Sequence, residues 1–143
     1  MPPLDPTIDD LVDDSIAHRG PRRIVVADDD DAMRALCAAQ LRDDGYQVIE
    51  ARNGAELVRA IHRFEHAGVR LDLILTDVRM PGFDGLEVLE YLKYARLSVP
   101  VIVMTAFGDA RVHREAEDLD AALVLDKPFD MEELGAHVAR VVG

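Results

Sequence analysis

Four places along this chain put a reactive side chain directly after a short apolar run. Ile24-Val25-Val26 leads into Asp28-Asp29-Asp30-Asp31, the run from Leu71 to Leu75 leads to Asp77, Val101-Ile102-Val103-Met104 ends at Thr105, and Ala121 to Leu125 ends at Asp126-Lys127-Pro128. In a parallel sheet the C-terminal ends of the strands share one edge, and ligand sites form in the crevice outside it. That edge would gather three carboxylates, a hydroxyl and an ammonium, with Asp77 expected to lie exposed at its strand's end. Like charges about 4 Å apart at an effective dielectric near 20 cost about 4 kcal/mol per pair, so the carboxylates require a cation. Oxygen donors of this kind suit Mg²⁺ or Mn²⁺, and Mg²⁺ uses one or two carboxylates together with a phosphate oxygen. The chemistry that follows is phosphoryl transfer. A carboxylate can carry phosphate as an acyl phosphate, which makes Asp77 the candidate nucleophile. Lys127 can neutralise charge on the phosphoryl oxygens, and Thr105 can donate its hydroxyl to one of them, making it a candidate sensor.

The elements that must position these groups are read from the alternation of short apolar strands with amphipathic stretches, the pattern of a parallel sheet covered by helices on both faces. Strands are expected near 23–27, 46–51, 71–76, 100–104 and 121–125, the later ones apolar throughout. The first helix is expected near 31–43, burying Met33, Leu36, Cys37 and Leu41 and ending before Asp44-Gly45. The second, 54–66, uses Leu57, Val58, Ile61 and Phe64, and the third, 85–96, uses Leu86, Leu89 and Leu92. The fourth, 109–118, is thinly apolar. The fifth starts at Asp130, whose pairing with Glu133 reads as a capping box, and buries Leu134, Val138, Val141 and Val142.

Composition narrows the function classes. At 143 residues the chain is one domain by size. Its formal net charge is −12, whereas nucleic acid binding needs a basic footprint, so no direct contact with DNA or RNA is expected. No apolar stretch approaches the roughly 20 residues that span a bilayer, so no membrane insertion is expected. The lone Cys37 fits a reducing compartment, and without a basic n-region and a long h-region at the start the expected location is the cytoplasm. Residues 1–21 differ from the rest: they are rich in Pro and Asp and end at Gly20-Pro21. They read as an extension, either disordered or forming a short extra helix through Ile8, Leu11, Val12, Ser15 and Ile16.

Taken in order, Asp28-Asp29, the segment Asp77-Val78-Arg79-Met80-Pro81-Gly82-Phe83-Asp84-Gly85, Thr105-Ala106 and Lys127-Pro128-Phe129 resemble the receiver domain of bacterial two-component response regulators, over residues 22–142. The resemblance implies a domain over 22–143 with a flavodoxin-like fold: a doubly wound, five-stranded parallel sheet of order 2-1-3-4-5. It also implies Asp77 as phospho-acceptor, Asp28 and Asp29 as the acidic pocket, Thr105 as switch and Lys127 as phosphate contact. The metal, Mg²⁺ with Mn²⁺ as an alternative, would be held by Asp28, Asp29, Asp77 and the backbone carbonyl of Arg79, with Asp29 the direct ligand of the acidic pair. Implied partners are a sensor histidine kinase or phosphotransfer protein and a downstream effector or output domain, with a homodimer also open. Such a chain catalyses only its own aspartyl phosphorylation and dephosphorylation. Lys-Pro in this family is usually a cis bond. One departure from the pattern is Val124, three residues before Lys127, where many members carry Tyr or Phe.

Blander readings apply to several residues. Asp30 and Asp31 fit the acidic first turn of a helix, Asp84-Gly85 fits a turn that starts the third helix, and His62 and His66 without a third ligand fit a solvated surface. The rival function is a Mg²⁺-dependent phosphohydrolase with an aspartyl nucleophile. Such enzymes usually place a second acid two residues after the nucleophile, and here that residue is Arg79. The chain ends at Gly143 directly after the fifth helix, so a stand-alone receiver and the input domain of a larger regulator are both open.

Overall fold

A computed structural model describes residues 20–143. Five strands, β1 (Arg23–Ala27), β2 (Gln47–Ala51), β3 (Leu73–Asp77), β4 (Val101–Ala106) and β5 (Leu123–Lys127), alternate with five helices, α1 (Asp31–Asp43), α2 (Gly54–Ala67), α3 (Gly85–Ala95), α4 (Ala110–Asp118) and α5 (Met131–Val142). All strand pairs are parallel, and the sheet order is β2-β1-β3-β4-β5. This is the doubly wound order expected. The 1–21 extension falls almost entirely outside the described residues.

Alternate side chains of the strands feed two cores, as the two-residue period of a strand requires. Val25, Ala27, Ile74, Val101 and Val103 pack with α2, α3 and α4 residues such as Leu57, Phe64, Leu89 and Ala116. Ile24, Val26, Leu73, Leu75, Ile102 and Met104 pack with Cys37 and Leu41 of α1 and with Leu134 and Val138 of α5. The three central strands are buried on both faces, which is why they read as near-continuous apolar runs.

Four expectations are corrected. The last three strands begin and end later than the apolar runs do: β3 runs on to Asp77 and β5 covers Leu123–Lys127 rather than 121–125. Backbone pairing continues through polar residues, with Asp77 opposite Met104, Thr105 opposite Asp126 and Ala106 opposite Lys127. β5 is also not buried throughout, since it is an edge strand and only Leu125 is fully covered. Leu36 is 56% exposed rather than in the core, because α1 meets the sheet through Cys37, Ala38 and Leu41. Finally, Asp130 accepts the Glu133 N–H at 2.7 Å as a simple N-cap, and the reciprocal capping box belongs to α3, between Asp84 and Glu87.

All five helices are capped at their N-termini by Asp30, Asn53, Asp84, Asp109 and Asp130. Each cap side chain accepts backbone N–H groups that the helix cannot satisfy itself. These caps sit in the loops that follow the strands. The helix starts and the strand C-termini therefore share one edge of the sheet.

Candidate functional site

At that edge Asp28, Asp29 and Asp77 converge, with one carboxylate oxygen from each lying within 4.8 Å of the others. Asp28 follows β1 and is almost fully buried; its backbone N–H donates to the Ala51 carbonyl at 3.1 Å, which ties it to β2. Its Oδ1 accepts the Asp30 N–H at 2.9 Å. Asp29 is exposed, one residue further along the same loop. Asp77 ends β3 and is 9% exposed, not the open carboxylate expected from its place in the sequence. Its Oδ2 accepts the Arg79 N–H at 3.1 Å, and its Oδ1 lies 2.9 Å from Lys127 Nζ. Each Asp77 oxygen is therefore held by a different donor, which fixes the carboxylate plane.

Lys127 reaches the cluster from the last residue of β5. Its Nζ also lies 3.5 Å from Asp28 Oδ2, so one ammonium serves two of the three carboxylates. Burial is the largest single influence on the Asp28 carboxyl and raises its pKa; the Asp30 N–H pulls the other way, Asp77 adds repulsion, and the net direction is up. For Lys127, burial acts to lower the pKa, but the hydrogen bond and charge of Asp77, with those of Asp28, outweigh it and the ammonium is favoured. Thr105 ends the buried part of β4 and is itself buried. It lines a cleft of about 470 Å³ together with Asp77, Val78, Arg79, Phe107, Lys127 and Pro128. The Lys127–Pro128 peptide is cis.

The five side chains singled out in the sequence are thus brought to one place. Among the acids of the first loop, Asp30 caps α1 through the Ala32 and Met33 N–H groups, and Asp31 pairs with Arg34. Both therefore play the structural part expected of them. His62 meets Tyr91 rather than His66, in an edge-on ring contact with a hydrogen bond between Nε2 and the phenol oxygen. Sequence reasoning gave no role at the site to the ring of Phe107, which is 81% exposed and lines the cleft. It also gave Gly85 only a turn role. A Cβ at Gly85 would lie 2.7 Å from the Asp77 carbonyl oxygen, so the backbone of α3 packs directly behind the end of β3.

Chemically, three carboxylates facing one ammonium leave a net negative charge at the edge. That donor set fits a hard divalent cation, which carboxylate and carbonyl oxygens bind. No described helix is long and apolar enough to cross a membrane.

The response regulator receiver domain family model matches residues 24–139. Among curated proteins, sporulation initiation phosphotransferase F of Bacillus subtilis is 33% identical over 112 residues, covering 78% of this chain and 86% of that protein. The transcriptional regulatory protein FixJ of Azorhizobium caulinodans is 42% identical over 120 residues, 82% of this chain and 54% of FixJ. The DNA-binding transcriptional regulator NtrC of Escherichia coli is 37% identical over 117 residues, 82% of this chain and 24% of NtrC. The chain thus spans most of the phosphotransferase, about half of FixJ and about a quarter of NtrC. Among solved structures, the receiver domain of the Francisella response regulator 1452 superposes with a TM-score of 0.76 at 26% identity, covering 85% of this chain and 96% of that one. The chemotaxis protein CheY4 of Vibrio cholerae gives 0.74 at 27% identity, covering 85% and 99%. The chain belongs to the response regulator receiver domains of two-component systems.

Proposed function

We propose that this chain accepts a phosphoryl group from a histidine kinase or phosphotransfer protein on Asp77, with Mg²⁺ in the acidic pocket, and that the aspartyl phosphate switches a surface read by a downstream protein. The observation that carries the reading is the Lys127 ammonium set between Asp77 and Asp28 inside a cluster of three carboxylates. Asp28, Asp29, Asp77 and the Arg79 carbonyl would hold the cation, with Mn²⁺ as a substitute. When bound, it supplies the positive charge that offsets carboxylate repulsion and neutralises phosphoryl oxygens.

The rest of the work falls to the chain's own residues. An Asp77 carboxylate oxygen attacks the phosphorus of the donor's phosphohistidine, the P–N bond breaks, and the electron pair leaves with the donor imidazole. Lys127 gives up its hydrogen bond to the Asp77 carboxylate and takes a phosphoryl oxygen, an ammonium being a compact charge that can turn between acceptors. Thr105, behind the same cleft, donates its hydroxyl to another phosphoryl oxygen and moves toward it. Hydrolysis of the acyl phosphate by water resets the domain, so the only chemistry catalysed is the chain's own phosphorylation and dephosphorylation. A net charge of −12 supports a protein output partner rather than direct contact with nucleic acid by this chain. The expected compartment is the cytoplasm.

The phosphohydrolase alternative lacks its acid. Arg79 stands two residues after Asp77, where leaving-group protonation would need a carboxyl. The direct experiment is phosphotransfer from a histidine kinase carrying radiolabelled phosphohistidine. The label should move to the wild-type chain and stay on the kinase when Asp77→Asn is supplied; transfer to Asp77→Asn would remove Asp77 as acceptor.

A further inference from the structure

The acidic pocket stands on the loop between β1 and α1, and a side chain of α1 anchors that loop from outside the pocket. Arg34, in the first turn of α1, spreads its guanidinium over three acceptors. Nη1 donates to the backbone carbonyl of Asp28 at 2.9 Å, Nη2 to Asp31 Oδ1 at 2.7 Å and Nε to Glu50 Oε1 at 3.2 Å. Glu50, on β2, is held in turn by Arg42, whose Nη1 reaches its Oε2 at 3.2 Å while Nη2 donates to the Val48 carbonyl at 3.0 Å. The chain of contacts thus runs from the edge strand through Glu50 and Arg34 to the carbonyl of a pocket residue.

An ordinary surface ion pair does not account for this arrangement. The Arg34 side chain is only 11% exposed, and only Asp31 among its partners is well solvated. Exposed pairs contribute little, whereas a planar fork that engages a backbone carbonyl and two carboxylates fixes geometry as well as charge. We propose that Arg34 is a positioning residue for the acidic pocket: by pinning the Asp28 carbonyl and Asp31 to β2 it holds Asp28 and Asp29 facing Asp77 before a divalent cation arrives, and so sets the pocket's affinity for that cation. The proposal rests on the reading of the pocket as a Mg²⁺ site, and it names a residue that touches neither the metal nor the phosphoryl group.

Positioning and simple charge have opposite signs here, which makes the proposal sharply testable. A guanidinium beside a cation site repels the cation, so if Arg34 acted only through its charge, removing it would tighten Mg²⁺ binding. If it acts by holding the loop, removing it weakens binding, and Arg34→Lys, which keeps the charge but loses the fork, weakens it too. The experiment is a Mg²⁺ titration of the full chain followed by backbone amide shifts, for wild type, Arg34→Met, Arg34→Lys and Glu50→Gln, with Asp29→Ala as the pocket control. Amide exchange of the cation-free proteins is measured alongside. The expected result is an affinity about tenfold weaker in both Arg34 variants, the lower end of what outer-shell partners of metal ligands contribute. Glu50→Gln should show a smaller loss in the same direction. Exchange at residues 28–31 should be faster in all three, with β3 unchanged. Binding by Arg34→Met as tight as or tighter than wild type overturns the proposal. If wild type itself shows no saturable response that Asp29→Ala removes, the metal reading of the pocket fails, and the exchange data then decide on the positioning: unchanged protection at 28–31 overturns it and faster exchange there upholds it. Should Arg34→Met fail to fold, Arg34→Lys and Glu50→Gln carry the same comparison.

Discussion

Lys127 Nζ and Asp77 Oδ1 meet at 2.9 Å across the C-terminal edge of the sheet, joining the last residue of the edge strand to the last residue of the central one. Because the same ammonium reaches Asp28 at 3.5 Å, it offsets the repulsion between two buried acids. Lys127→Ala should therefore lower the stability of the metal-free chain by about 2 kcal/mol, the scale of a charge-assisted hydrogen bond. Mg²⁺ should restore most of that loss and bind at least as tightly as in wild type. The variant should still accept phosphate slowly yet show no phosphorylation-dependent change in its amide spectrum. Thermal melts with and without Mg²⁺, followed by spectra in beryllofluoride, check both halves.

Asp28 gives the pH dependence. Its folded pKa is raised, chiefly by burial, above the ordinary value of 3.8. A raised acid contributes stability below its unfolded pKa and loses that contribution as pH rises through the folded value, so ionised Asp28 destabilises the metal-free fold at neutral pH. Asp28→Asn should melt a few degrees higher than wild type at pH 7 without Mg²⁺. The advantage should shrink as pH falls through the raised folded pKa toward the ordinary carboxylate range, as the wild-type carboxyl takes up its proton. With Mg²⁺ in excess the order should reverse, since only wild type keeps the full donor set. Melting curves across that pH range, with and without Mg²⁺, test the sign directly.

Much of this was legible in the sequence, and the rest was not for identifiable reasons. The five strands follow from apolar runs that recur between amphipathic stretches, their order was implied by the family resemblance, and the site follows from the polar residue at the end of each run. Strand ends slipped because apolarity stops before pairing does: Asp77, Asp126 and Lys127 continue the ladder although their side chains are polar. Leu36 sits close to helical spacing with Cys37 and Leu41 but lies just beyond the stripe that touches the sheet. The role of Gly85 and the Arg34 fork depend on which backbone lies behind them. Only the folded chain brings the Asp77 carbonyl to one and the Asp28 carbonyl to the other.

Gly85→Ala is the variant that tests the support behind Asp77. The added methyl would meet the Asp77 carbonyl oxygen at 2.7 Å and the Val78 Cα at 3.1 Å, while the Gly85 N–H donates to the Val78 carbonyl at 2.8 Å. Neither backbone neighbour can swing away as a flexible side chain would. The expected cost is about 2 kcal/mol of stability, typical of overpacking, with slower phosphorylation of the folded fraction because the Asp77 carboxylate is displaced. Wild-type rates and stability in this variant would show that α3 tolerates a shift without moving β3.

Under the proposed function, the fourth helix is the expected route from the site to the surface. α4 buries only Val112 and Ala116, so it can move at modest cost in packing. It is tied to β5 by His113 Nε2 and Asp126 Oδ1 at 2.8 Å. Asp126 pairs in register with Thr105 and immediately precedes Lys127, so both phosphate-contacting candidates are adjacent to this tie. With Val124 in place of an aromatic switch, activation should proceed through Thr105, the Phe107-Gly108 loop and α4. Amide exchange with beryllofluoride should change at residues 105–119. His113→Ala should raise exchange in α4 of the unmodified chain toward the activated level. Changes confined to other elements would place the output surface elsewhere.

The most direct measurement for the account as a whole is the intact mass of the chain after incubation with acetyl phosphate, with Mg²⁺ and with the cation chelated. The account predicts one added phosphoryl group on wild type in Mg²⁺, little or none without the cation, and none on Asp77→Asn under either condition. An undiminished mass gain in Asp77→Asn, or equal labelling of wild type with and without Mg²⁺, would contradict it.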